Sequence, residues 1–280
     1  MIGHGVSFGA LSVINAISTG KGAAFGIDLK TEANVELIPE PEFSVEIDGH
    51  PAEDTTLARF SVEEVLRLYP GSRMKGAVIK TTSNIPISKG LKSSSSAANA
   101  IISATIQALD MHMDPLDIGK IGATASIRAG VSITGAFDDA CACQLGGLVF
   151  TDNTRHELLL RRPMPDGFTA VIHIPPFQIR KSAFPKEKMR QLQGLISAAY
   201  DMAVEGDVFS AMYVNGKCTC EALGITPDIA DKALSSGASA AGLSGTGPAT
   251  GILVPTDRLD EFLDRFGRDD IIIANIRNGV

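Results

Sequence analysis

The sequence has no tryptophan and only 5% aromatic residues, so it offers little with which to stack the bases of a single-stranded nucleic acid. Basic residues are also short. Twenty-five Lys and Arg stand against 32 Asp and Glu, a formal net charge of −7. That balance argues against a broad surface for a phosphate backbone, and no nucleic-acid partner is expected, but it leaves room for a small local anion pocket. No apolar run reaches the length of a membrane-crossing helix. The opening MIGHGVSFGA lacks a basic segment followed by an apolar core, so neither a membrane partner nor secretion is expected, and the cytoplasm is the default compartment. The Walker A pattern Gly-x-x-x-x-Gly-Lys-Ser/Thr does not occur, which excludes that phosphate cradle. Cysteines number four, as the pairs Cys141/Cys143 and Cys218/Cys220. Positions i and i+2 point to opposite faces of a strand and roughly 200° apart on a helix. Neither pair can therefore grip one metal from a regular element, and buried, reduced thiols are expected.

A chain of 280 residues suffices for one large domain or two ordinary ones. Alternation and β-forming residues predict strands within 25–38, 43–47, 76–86 and 168–176. Helical spacing predicts helices over 55–69, from about 94 to 109, from Asp114 with Pro115 at its first position and Gly130 past its end, and over 186–206, 207–224 and 226–237. Helices and strands mix without strict βαβ alternation, so the expected class is α+β. The charged, proline-bearing RHELLLRRPMPDG (155–167) marks a composition change. A boundary drawn there gives an N-terminal domain of residues 1–158 and a C-terminal domain of 159–280.

Three stretches carry candidate chemistry. PISKGLKSSSSAANAI (86–101) sets Gly90 and four serines, Ser93, Ser94, Ser95 and Ser96, before an apolar helical stripe. Serines at a helix start can be plain caps. Equally, a helix N-terminus presents free N–H groups and a partial positive charge, to which serine hydroxyls and the ammonium groups of Lys89 and Lys92 add donors for an anion. AGLSGTGPATGIL (241–253) clusters Gly242, Gly245, Gly247 and Gly251. It misses the dinucleotide fingerprint by one residue, and Pro248 lacks the N–H a cradle would use, which disfavours a nucleotide-dependent oxidoreductase; a tight turn stays open for this cluster. GVSITGAFDDACA (130–142) holds Asp138 and Asp139. Adjacent carboxylates diverge, so one can face a pocket and the other solvent, or both can cap the following helix. His4, in the glycine-rich opening, either lines a pocket or is an ordinary core or surface histidine.

Together these stretches resemble the GHMP kinase family. PISKGLKSSSSA is similar to its phosphate motif Pro-x-x-x-Gly-Leu-x-Ser-Ser-Ala, with Lys92 where glycine is common and Ser95 and Ser96 where alanines are common. The 242–251 cluster resembles the family's C-terminal glycine motif, and TGAFDDA its aspartate loop, with Asp138 at the matching position. GALSVINAISTGKGAAFGIDL (9–29) and GLKSSSSAANA are similar to the archaeal shikimate-kinase branch. The resemblance implies a two-domain α+β fold, an N-terminal part like ribosomal protein S5 domain 2 and a ferredoxin-like C-terminal part, with the site in the cleft between them. It implies ATP and Mg²⁺, held by Pro86, Lys89, Gly90, Leu91, Lys92, the four serines, Gly245 and Gly247, with Ser94 reaching the metal. It implies shikimate as the small-molecule substrate, phosphorylated at its 3-hydroxyl. Asp138 would serve as catalytic base, Lys21 as a cation beside it, and Arg128, Arg180 and Lys181 as candidate partners for the substrate carboxylate. Homoserine or mevalonate as acceptor, and a non-catalytic nucleotide-binding module, are the competing readings.

Overall fold

Two long strands open the chain in the computed structural model, which describes residues 1–132, 134–179 and 184–279. β1 (Ile2–Ile14) and β2 (Lys21–Ile38) form an antiparallel hairpin. β3 (Phe43–Ile47) and β4 (Gly76–Ser83) extend the sheet beyond β2, with α1 (Thr56–Leu68) between them. α2 (Ser93–Ala108) then lies against β1. A Cβ at Gly3 or Gly5 would strike the carbonyls of Ala104 or Ala100. Glycines alternating on one face of the strand and alanines spaced by four on the helix thus let α2 sit on the backbone itself.

α3 (Pro115–Arg128) begins as its sequence signals direct: the Asp114 carboxylate accepts from the Leu116 N–H, and Pro115 takes the first position. α4 (Phe137–Leu145) follows and carries both aspartates in its first turn, where the helix dipole favours negative charge. β5 (Leu148–Asp152) pairs with β2, and β6 (Glu157–Arg162) with β5.

The second half comprises β7 (Phe168–His173), α5 (Lys186–Gln191), α6 (Gln193–Glu205), α7 (Val208–Leu223), α8 (Asp228–Ser235), β8 (Ala240–Leu243), β9 (Thr250–Pro255), α9 (Leu259–Phe266) and β10 (Ile271–Arg277). β10 pairs with β7 over most of its length and with β2 at its end, through Ile276 and Arg277 opposite Ile27 and Gly26. The main strand order is therefore β3-β4-β2-β10-β7-β9-β8. The largest core joins Leu11, Ile14, Phe25 and Ile27 of the first half to Ile172, Tyr200, Met212 and Leu253 of the second.

The boundary drawn between residues 158 and 159 falls inside β6. Composition misleads here because Glu157, Arg161 and Arg162 flank the three leucines of an edge strand, and solvent-facing positions dominate it. The 186–206 segment is two helices meeting at Leu192. All four cysteines are buried and free, in α4 and α7. No helix among the described residues is long and apolar enough to cross a membrane.

Candidate active site

The serine loop turns into α2 through three left-handed residues, Ser88 (φ 59°), Gly90 (φ 85°) and Lys92 (φ 68°). At Gly90 a Cβ would also collide with the Ser244 carbonyl, so the position demands glycine twice over. Lys92 is the N-cap residue of α2, and its side chain makes no capping hydrogen bond; none of the serines stands at the cap position. The plain-cap alternative is thus not what the serines do. Ser93 and Ser94 are half-buried, whereas Ser95 and Ser96 are buried, and the Ser96 hydroxyl has no partner among the described residues. The stripe behind them, Ile101, Ile102 and Ile106, is buried and anchors the helix. The half-buried Ser93 and Ser94 and the free N–H groups of a first turn stand together at the start of α2. Leu91 is fully buried beneath the loop, and Pro86 is half-buried at its entrance.

The 242–251 turn packs directly on this loop. Ser244 Oγ donates to the Gly90 carbonyl (2.8 Å), and the Ala249 N–H donates to the Lys89 carbonyl (3.0 Å). The Ser12 N–H donates to Ser244 Oγ (3.1 Å), the Gly245 N–H to Ser12 Oγ (3.0 Å), and Asn15 Nδ2 to the Gly245 carbonyl (3.0 Å). Two glycine-rich segments some 150 residues apart thus form one floor, with β1 as the joint.

The loop lysines do not face outward as expected. Lys89 Nζ donates to the carbonyls of Pro175 (2.6 Å) and Phe177 (2.7 Å). The Lys92 side chain is only 4% exposed, and its ammonium contacts Asp139 Oδ1 (2.9 Å) and Ser12 Oγ (2.6 Å). Charge next to a glycine loop is visible in a sequence; the direction it points is not.

Asp138 is buried at the start of α4. Its Oδ1 accepts from Asn153 Nδ2 (2.8 Å), and its own N–H donates to Asn153 Oδ1 (3.1 Å). Thr151 Oγ1 also donates to Asn153 Oδ1 (2.7 Å), which fixes that amide. The carboxylate lies against Gly22, where any Cβ would collide with it. Burial and the neighbouring Asp139 push its pKa up to about 6, against the pull of Lys92 and the Asn153 hydrogen bond. Asp138 and Asp139 diverge as neighbouring helical positions must, one toward Asn153 and the other toward Lys92.

Other expectations meet different surroundings. Lys21 precedes Gly22 on β2, so strand alternation sends its side chain to the face opposite Asp138; its Nζ lies 5.5 Å from the Tyr200 ring centroid. Arg128 is engaged by Glu64 (2.5 Å) and Glu63 (3.0 Å) and rests on the Phe60 ring, which leaves no free fork for a substrate carboxylate. His4 is exposed beside Glu32 (3.6 Å) and lines no part of this site. Arg180 and Lys181 lie outside the described residues. Gly245 and Gly247 hold left-handed backbone in the facing turn. Sequence reasoning passed over Asn153, Ser12, Asn15 and Ser244. Each is a common polar residue in a turn or strand, and only the fold gives it a partner.

Residues 57–147, which include the serine loop and the Asp138 turn, match the family described as GHMP kinases N terminal domain. A protein of Methanococcoides burtonii named shikimate kinase is 46% identical over 92% of this chain and 89% of its own. One of Methanothrix thermoacetophila with the same name is 42% identical over 98% of this chain and 90% of its own. The crystal structure of the Methanococcus jannaschii mevalonate kinase superposes with a TM-score of 0.76 at 18% identity, covering 99% of this chain and 98% of that one; at that identity the likeness speaks for the fold alone. The chain belongs to the GHMP kinase family, in the group whose archaeal members are named shikimate kinase.

Proposed function

We propose that this protein transfers the γ-phosphoryl group of ATP to the 3-hydroxyl of shikimate. The relatives' name supplies the acceptor. The observation that carries the chemistry is Asp138: a buried carboxylate whose neighbour Asp139 is ion-paired to Lys92, the residue that opens α2.

ATP enters as a substrate. Its phosphates rest against the first-turn N–H groups of α2, with the Ser93 and Ser94 hydroxyls donating and the Gly245–Gly247 turn opposite. Mg²⁺ takes oxygen ligands and keeps several waters when it travels with a nucleotide. The half-buried Ser94 hydroxyl fits that demand as a protein oxygen. When bound, the ion neutralises charge on the phosphate oxygens. The shikimate oxygen bonds to the γ-phosphorus as the bond to the β–γ bridging oxygen breaks. ADP leaves with that electron pair, and the hydroxyl proton passes to Asp138. A carboxylate raised toward neutrality is a better base than an exposed one and is still ionised at pH 7. Arg180 and Lys181 are the partners we assign to the substrate carboxylate. They follow the segment whose carbonyls Lys89 ties to the phosphate loop.

An ADP-release assay with shikimate, homoserine and mevalonate tests the acceptor. ADP formation should depend on shikimate. Release with homoserine or mevalonate but not shikimate overturns the acceptor, and ATP binding with no acceptor-dependent release favours the non-catalytic reading.

A further inference from the structure

Lys92 occupies a position where an outward ammonium would meet phosphate, yet its contacts run inward. Its left-handed backbone turns the side chain beneath the loop, and a Cβ on Gly245 would lie 2.7 Å from Nζ. Asp139 and Ser12 take two of the three ammonium donors. Asp139 is itself 14% exposed, so neither charge is well solvated. A buried ion pair of this kind adds little net stability over an apolar pair, but losing one partner leaves the other uncompensated. What it supplies is registration. Lys92 belongs to the start of α2, Asp139 to α4, Ser12 to β1, and Ser12 also accepts from Gly245 in the C-terminal turn. One ammonium therefore fixes four segments around the site.

We infer that Lys92 is a positioning residue and not a phosphate ligand: through Asp139 it holds the first turn of α4, and with it Asp138, at a set place relative to the phosphate loop, while balancing the Asp139 charge beside the base. The inference rests on Asp138 as the base. Asn153 clasps Asp138 through its carboxylate and its N–H, so the first turn of α4 is held at Asp138 by Asn153 and at Asp139 by Lys92.

The charges around Asp138 make the role measurable. Asp139 from α4 disfavours its ionised form, and Lys92 favours it. Lys21 stands on β2 beside Gly22 with its side chain directed away. From the β5–β6 turn come the neutral Asn153 and His156, the latter's ring tilted against Phe137 at 5.5 Å between centroids. Cys141 and Cys143 lie further along α4, their thiols kept protonated by burial, with Lys120 of α3 near Cys141. None of these offsets the loss of Lys92 or Asp139.

The test is steady-state kinetics of the full-length protein with ATP, Mg²⁺ and shikimate, from roughly pH 5 to 9, for K92M, D139N and K92M/D139N. K92M should move the acid limb of kcat to higher pH by about 1, D139N should move it to lower pH, and the double variant should return toward the parent. K92M should lower kcat at neutral pH more than it raises KM for ATP, and D139N in the same chain should restore much of that loss. D139N is isosteric and exchanges a charge for an amide, so it decides the matter alone if K92M does not fold. A K92M whose main effect is a tenfold or larger rise in KM for ATP with an unmoved acid limb, or a D139N whose limb does not move, overturns the inference. D138N separates the two levels. If it abolishes turnover while the Lys92 and Asp139 variants leave the limb in place, only the positioning role fails; if it leaves turnover intact, the base assignment fails and the inference falls with it.

Discussion

Asp138 concentrates the residue-scale consequences. With Asp138 as the proposed base, its pKa of about 6 predicts that kcat declines as the pH falls through that value. Asp138→Asn should lower kcat by about 10²–10⁴-fold with ATP affinity nearly unchanged. The stability sign is opposite. A carboxylate whose folded pKa lies above its unfolded one opposes folding at neutral pH and stops doing so once the pH falls below both values. Removing the charge should therefore raise Tm at pH 7, and a thermal melt of the variant beside the parent checks this. Asp138 could be singled out in TGAFDDA because that loop resembles the family's aspartate loop, and the structure buries it at the start of α4. Asn153 could not be, since its clasp forms only when the β5–β6 turn comes back over α4. Lys21, Lys89 and Lys92 were seen as charges, but strand alternation directs Lys21 away from Asp138, the carbonyls of Pro175 and Phe177 hold Lys89, and a left-handed backbone turns Lys92 inward.

Among the elements, α2 divides its serines by burial. Ser94→Ala should raise KM for Mg-ATP several-fold while Tm stays put, since the hydroxyl is half-buried and caps nothing. Ser96→Ala removes a buried hydroxyl without a partner among the described residues. It should raise stability by about 1 kcal/mol with ATP kinetics unchanged, as chemical denaturation and the same assay would reveal. α2 and α3 were readable from their apolar stripe and from the Asp114-Pro115 start, which are local signals. β6 escaped because an edge strand with a charged outer face lacks the alternation that marks a half-buried one.

On the scale of the whole molecule, the two halves are joined by the last strand and the residues around it. Arg277, at the end of β10, donates to the Cys143 carbonyl (2.8 Å) at the C-terminal end of α4 and lies over the Phe8 ring (4.1 Å). Arg161 of β6 donates to the carbonyls of Leu145 (2.6 Å) and Gly146 (2.9 Å). Burial lowers the Arg277 pKa to about 10, so its charge is held at every physiological pH. Arg277→Met should cost about 2 kcal/mol, measured by chemical denaturation, and should loosen α4, seen as faster amide exchange there. No local pattern announces this closure. DIIIANI stands out only as an apolar run, and the topology alone tells that it forms a strand ending against β2 and beneath the helix bearing Asp138.

The central claim, phosphoryl transfer to shikimate assisted by Asp138, meets its most direct test in ³¹P NMR of a reaction holding the protein, ATP, Mg²⁺ and shikimate. The signal of the γ-phosphoryl group should disappear in step with a new phosphomonoester coupled to the proton on C3 of shikimate, with an ADP signal of equal size, and the Asp138→Asn sample should show little of either. Growth of inorganic phosphate alone, or a phosphomonoester formed as fast by Asp138→Asn as by the parent, would contradict it.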